Sequence, residues 1–167
     1  MWEAGELIGE PYEWKVDKYV FKVHRDRFYT ENDSWAKMEG NVATVGITDF
    51  IQNMATDILF VQFSEVGTEV QQFDELGTFE SVKTMLDVIS PVTGTITGVN
   101  SRLESEPELM NKEPYGEGWF VKVKVEDFDA DKGNLLSPES YFEVLKRKVE
   151  AERLKLKKKK EDNTQKE

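Results

Sequence analysis

The sequence has no cysteine and a single histidine, His24, in 167 residues. Without cysteine the chain cannot form a disulfide. It also offers no thiolate nucleophile, zinc ribbon or iron–sulfur ligand. One histidine supplies neither a metal cluster nor a Ser-His-Asp set, so His24 is expected to be an ordinary surface or edge residue. No apolar run approaches the ~20 residues that span a bilayer. The N-terminal residues lack the pattern of a secretory signal, and the expected setting is cytoplasmic.

Positive charge is also scarce, except in one place. The net charge is −11, yet residues 146–160 hold nine Lys or Arg against two Glu, a local +7 that leaves −18 on the rest. An acidic body repels phosphate, which argues against nucleic acid as a partner. The basic stretch reads as a solvated helix end, and no membrane partner is expected from it.

What is present is a series of short, strand-like runs cut by turn residues. Tyr12 to Val23 mixes alternation with aromatic residues and reads as one or two strands laid on the body. Ser34–Gly40 and Asn41–Gly46 read as two strands joined at Glu39-Gly40-Asn41. Thr48 is placed to cap a short helix through Phe50, Ile51 and Met54. Ile58–Phe63 is a β-branched, apolar strand. Glu69–Gln71, Thr95–Val99 and Trp119–Val125 add further strands. A short helix is expected from Ser101 to about Glu106, ended by Pro107, with a loop over Asn111–Gly118. Ser137-Pro138 opens a helix whose Tyr141, Leu145 and Val149 share a face. Beyond about Leu156 the chain is expected to fray. The length suits one compact domain with tails: an extension over 1–28, a body over 29–150, and a basic helix end with a disordered tail over 151–167. Many short strands at close spacing point to a β-sandwich or barrel.

The stretch from Gly77 to Pro91 organises the rest. Two apolar runs flank the polar turn Ser81-Val82-Lys83-Thr84, which reads as a β-hairpin with Lys83 at its tip. Phe79 and Val82 are expected on one side, and Met85, Val88 and Ile89 on the other. Glu80 and Asp87 stand near the turn.

The order Gly67, Val70, Leu76, Glu80-Ser81-Val82-Lys83 and Ser90-Pro91-Val92-Thr93-Gly94 resembles the biotinyl/lipoyl attachment module. Val82 and Thr84 flank the lysine, where biotin carriers have methionines, so the lipoyl type is the better match. The resemblance extends through Tyr29-Thr30, Trp35, Asn41 to Asp49, Val99-Asn100, Pro107 to Asn111 and Pro114 to Trp119. Together these motifs resemble the glycine cleavage system H protein family from about Tyr29 to Val149.

That resemblance implies a mainly β fold with added α. It would be a lipoyl-type β-sandwich (barrel-sandwich hybrid) with short helices and a C-terminal helix. It implies a non-catalytic carrier with lipoate covalently attached to Lys83. Glu80, Ser81, Val82, Thr84 and Asp87 would support attachment and docking, and no metal is involved. The cargo would be an aminomethyl group and reducing equivalents. The implied partners are a lipoate ligase or lipoyltransferase and the glycine cleavage P, T and L proteins, visited by a monomer.

Three departures qualify the cargo. Asp33-Ser34-Trp35 stands where the family usually has His-Glu-Trp, and that glutamate borders the cleft for the amine-loaded arm. Met54 replaces a frequent histidine, and Phe73 replaces a glycine before the hairpin. Alternatives are an H-like carrier of sulfur intermediates for a heterodisulfide-reductase-like complex, a lipoyl relay protein, or an unmodified binding module in which Lys83 is inert.

Overall fold

Turn residues cut the chain into eleven strands and a few helices in the computed structural model, which describes residues 10–165. The first half runs β1 (Tyr12–Val16), β2 (Tyr19–Val23), β3 (Phe28–Tyr29), β4 (Ser34–Glu39), β5 (Val42–Ile47), α1 (Asp49–Ala55) and β6 (Ile58–Phe63). Then follow β7 (Glu69–Val70), β8 (Glu75–Ser81), β9 (Met85–Ile89), β10 (Gly94–Val99) and a 3-10 turn at Ser101–Glu104. The chain ends with α2 (Leu109–Lys112), β11 (Val121–Val125), α3 (Phe128–Lys132) and α4 (Pro138–Gln165).

Two sheets enclose the main core. One has the strand order β3-β4-β5-β11-β10-β7, the other β6-β8-β9. Alternation along each strand sends one set of side chains inward. Ala36, Val45, Ile96, Val121 and Val123 come from the large sheet, Ile58, Leu76, Phe79 and Val88 from the small one, and all are buried in one cluster with Phe120. Neither sheet closes on itself, so the fold is a β-sandwich with added helices. Gly94 begins β10 because a Cβ there would lie 2.0 Å from the Lys124 carbonyl oxygen. That contact excludes any side chain.

A second core joins the two ends of the chain. Val16, Phe21 and Val23 of the β1–β2 hairpin pack with Tyr29, Trp35 and Phe50 and with Tyr141, Val144, Leu145 and Val149 of α4. Tyr29 and Tyr141 stack at 4.6 Å between ring centroids. Beneath them sits a polar network. The Tyr141 hydroxyl donates to Asp33 Oδ1 at 2.6 Å, and its 2.9 Å neighbour Thr48 Oγ1 donates to it, since a phenol has only one proton to give. Lys148 Nζ donates to Asp33 Oδ2 at 2.8 Å. Burial raises the Asp33 pKa, while Lys148 and Tyr141 pull it back.

Several local expectations change. α4 does not fray at Leu156 but continues through Gln165. Its outer half is rich in Lys, Leu and Glu, good helix formers, and i,i+3 ion pairs Arg153–Glu150 and Lys155–Glu152 lie along it. Its root is held by the second core. Residues 1–9 of the expected extension and residues 166–167 of the tail lie outside the described residues. Pro107 does not simply end a helix. It follows a single 3-10 turn and precedes α2, which occupies the start of the expected loop. α3 was not anticipated, although Asp127 caps it by accepting from Ala130 N. Thr48 holds the cap position of α1, but its side chain makes no capping bond and serves Tyr141.

His24 is not a free surface residue. It is half-buried, with its ring 4.4 Å from that of Tyr115, in the seam between β2 and the body. Burial first, then the Arg27 guanidinium, lowers its pKa from 6.5 to about 4. The unfolded chain therefore takes up a proton near pH 6.5, whereas the folded chain resists until about 4. The contribution of His24 to stability is complete above that window and is lost as pH falls through it. We expect the melting temperature of His24→Gln to fall less than that of wild type between pH 6.5 and 4. Parallel curves for the two proteins would contradict the assignment.

Candidate functional site

The hairpin β8–β9 carries the candidate residues, and its register is fixed by the face it buries. Phe79 pairs with Leu86 and Gly77 with Val88, and these positions turn inward. Glu80 pairs with Met85 and Thr78 with Asp87, and these turn outward. Gly77 lies in β8 at φ 145°, where a Cβ would meet the Gln62 carbonyl oxygen at 2.2 Å. Only glycine fits that approach. On the outer face Phe60 of β6 pairs with Glu80, so Phe60, Glu80 and Met85 form one exposed row beside the tip. Asp87 lies one row further back. The structure thus moves Met85, which is 61% exposed, away from Val88, which is 1% exposed. It also takes Val82, 72% exposed, out of the packing expected for it.

The turn is built without glycine. Two-residue hairpin turns usually need positive φ. Neither Val82 nor Lys83 has it. Ser81 supplies the missing closure. Its backbone N–H donates to the Thr84 carbonyl at 2.8 Å, and its hydroxyl donates to the same carbonyl at 3.1 Å. That hydroxyl accepts from Lys83 N at 3.2 Å and Thr84 N at 3.0 Å. Ser81 is accordingly buried, whereas Val82, Lys83 and Thr84 are exposed. A serine hydroxyl in this place competes for backbone groups and defines a turn. Val82 N donates to the Asp57 carbonyl at 3.3 Å, tying the tip to the loop between α1 and β6.

Lys83 is the solvent-facing end of this device. Its ammonium is in none of the ion pairs among the described residues. The acids Glu80 and Asp87 share the outer face with it but do not clamp it. The geometry therefore presents one long, accessible amine on a rigid two-stranded support.

The other sequence candidates lie elsewhere. Ser34 is 1% exposed and lies 2.8 Å from Thr30 Oγ1. It does not line an open cleft. A glutamate at this site would have to bury a carboxylate, so Ser34→Glu is a folding lesion before it is a probe of cargo. Met54 packs against the second core. Phe73 sits at φ 75° just before β8. Its amide donates to the Ser90 carbonyl at 2.7 Å, closing the base of the hairpin.

A sequence model described as glycine cleavage H-protein matches residues 27–148. The chain belongs to the glycine cleavage H-protein family. A probable glycine cleavage system H protein of Aeropyrum pernix is 43% identical over 142 residues, covering 85% of this chain and 99% of that one. The glycine cleavage system H protein of Rubrobacter xylanophilus is 46% identical over 120 residues, covering 72% and 92%. The crystal structure of a glycine cleavage system H protein from Mycobacterium marinum superposes with a TM-score of 0.61 at 32% identity, covering 70% of this chain and 94% of that one. H proteins are non-catalytic lipoyl carriers, so the chain is a carrier and not an enzyme. No helix among the described residues is long and apolar enough to cross a membrane.

The family's glycine at the place of Phe73 now has a physical reason. A left-handed backbone costs a side-chain-bearing residue about 1–2 kcal/mol, and glycine gives part of that back through its freer unfolded state. Phe73→Gly should therefore stabilise the protein by about 0.5–1 kcal/mol in urea titration. A loss of stability would mean that the half-exposed ring contributes more than the backbone costs.

Proposed function

We propose that Lys83 carries lipoate in amide linkage and that the protein shuttles an aminomethyl group and reducing equivalents between the glycine cleavage P, T and L proteins. The observation that carries this reading is the exposed Lys83, without an ion-pair partner among the described residues, at the tip of a hairpin braced by Ser81. The site suits the group. The amine reaches into solvent, its neighbours Val82 and Thr84 are exposed, and no side chain among the described residues competes for it.

Attachment requires a lipoate ligase or lipoyltransferase. Lys83 Nζ would be the nucleophile toward the activated lipoyl carbonyl, forming the amide C–N bond as the activating group leaves and the amine gives up a proton. Bound lipoate then supplies a dithiolane able to take up an aminomethyl group and two electrons. The chain contributes presentation. Ser81 fixes the turn, Val82 and Thr84 space the lysine from the strands, and Glu80 and Asp87 offer an acidic face for docking. The absence of cysteine keeps the protein's own side chains out of thiol exchange with a carried dithiol.

The burial of Ser34 favours a second reading. No carboxylate stands at that position to hold an ammonium group, which suits a carrier of sulfur intermediates for a heterodisulfide-reductase-like complex. Reconstitution distinguishes the two. Lipoylated protein should support glycine decarboxylation with added P, T and L proteins, and failure with all three present would overturn the glycine-cleavage reading. Lys83→Arg should abolish this activity while leaving stability within about 0.5 kcal/mol of wild type, because the position is exposed and the charge is kept. Residual lipoyl-dependent turnover in Lys83→Arg would remove the site.

A further inference from the structure

The corner between α1 and β6 is an unusual place for a threonine. Thr56 has φ 65° and ψ −152°, a region open in practice only to glycine. A β-branched residue stays there only if its surroundings over-determine it. One side chain does most of that. Asn111 Nδ2 donates to the Thr56 carbonyl at 2.7 Å, and Asn111 Oδ1 accepts from Ile58 N at 3.0 Å. The amide group of Asn111 thus spans the residue between, Asp57, on both sides. The Asp57 carbonyl is the group that receives Val82 N from the hairpin tip. Ile58 in turn pairs with Ser81, the residue that closes the turn.

Asn111 is itself held. α2 is anchored by Leu109, 8% exposed, and Met110, fully buried. Met110 N donates to the Pro107 carbonyl at 3.1 Å, and a Cβ on Gly118 would meet the Leu109 carbonyl oxygen at 2.3 Å. Asn111 Nδ2 also lies 3.4 Å from the Gln52 carbonyl and 3.3 Å from Gln52 Oε1, which links α2 to α1. The run Pro107 to Asn111 therefore has a division of labour. Its apolar residues fix the helix in the core, and its last residue reaches across to the corner.

We propose that Asn111 is a positioning residue for the Lys83 hairpin. It holds the strained Thr56–Asp57–Ile58 corner in the one conformation that offers Asp57 O to the tip. The inference concerns modification of Lys83 and in that respect rests on the lipoyl reading. Its structural half stands apart from it. Without the Asn111 amide, Thr56 relaxes, the Asp57 carbonyl turns away, and the tip loses its tether to the body. The hairpin remains folded, but the lysine is presented less consistently.

Hydrogen exchange of the full chain and lipoylation by a lipoate ligase with ATP and lipoate test this together. In Asn111→Ala the Val82 amide should exchange about tenfold faster relative to amides of β4 and β5, as expected for one lost hydrogen bond. The rate of lipoylation should fall by a similar factor. Asn111→Asp, which keeps the acceptor for Ile58 N but loses the donor to Thr56, should behave alike and serves if the alanine variant does not fold. Adding Thr56→Gly should restore Val82 protection and lipoylation, because glycine holds the corner without help. A general loss of stability would speed exchange in β4 and β5 as well as at Val82. Wild-type exchange at Val82 in both Asn111 variants, or failure of Thr56→Gly to rescue, would overturn the proposal. If wild type itself takes no lipoyl group on Lys83, the lipoyl reading falls, and Val82 exchange alone still decides the role of Asn111.

Discussion

The pleat of the β6-β8-β9 sheet is the constraint on which the rest depends. One face of this sheet is buried against the larger sheet, and side chains alternate with a period of two. A slip of one residue would turn Phe79 and Val88 to solvent and drive Glu80 and Asp87 into the core. Burying two carboxylates without partners costs several kcal/mol, so the register is held firmly. That register decides which residues form the turn. Lys83 is at the tip because hydrophobic burial behind it leaves no other arrangement. Ser81 then closes the turn by hydrogen bonds that glycine-based turns obtain from their backbone.

The chain differs from a minimal carrier by what it adds at both ends. The family match spans residues 27–148, while β1, β2 and the outer half of α4 lie beyond it. The first of these additions packs on the root of α4, inside the matched span. Tyr12 stacks on Phe142 at 5.1 Å, and its hydroxyl donates to Glu139 at 3.0 Å. Lys146 lies over the rings of Trp14 and Phe142. The N-terminal hairpin therefore braces the root of α4. A helix of this length with so few buried residues would be marginal alone, and the second core supplies what propensity does not.

Much of this was legible in the sequence. Alternation located β11, a β-branched apolar run located β6, two apolar runs about a polar turn located β8 and β9, and Ser137-Pro138 marked the start of α4. The lysine at the tip followed from strand, turn, strand. Other features were not legible, for physical reasons. The bonds of Asn111 join residues 53 and 55 positions apart, and only the folded chain brings them together. The lysine-rich run resembles a solvated tail by composition, but its root in the second core makes it helix. Met85 and Val88 look equally apolar, and only the register separates them. Phe73 was recognisable as a substitution for glycine, yet the reason for that glycine, a φ of 75°, appears only in the structure.

The central claim is that backbone geometry, not lysine chemistry, selects one amine for modification. The sequence offers many other exposed lysines, among them the run Lys157–Lys160 on α4. The most direct measurement is peptide-mapped mass analysis of wild-type protein after reaction with lipoate, ATP and a lipoate ligase. The account predicts a single added lipoyl group, located on Lys83. A group found on another lysine, with Lys83 unmodified, would contradict it.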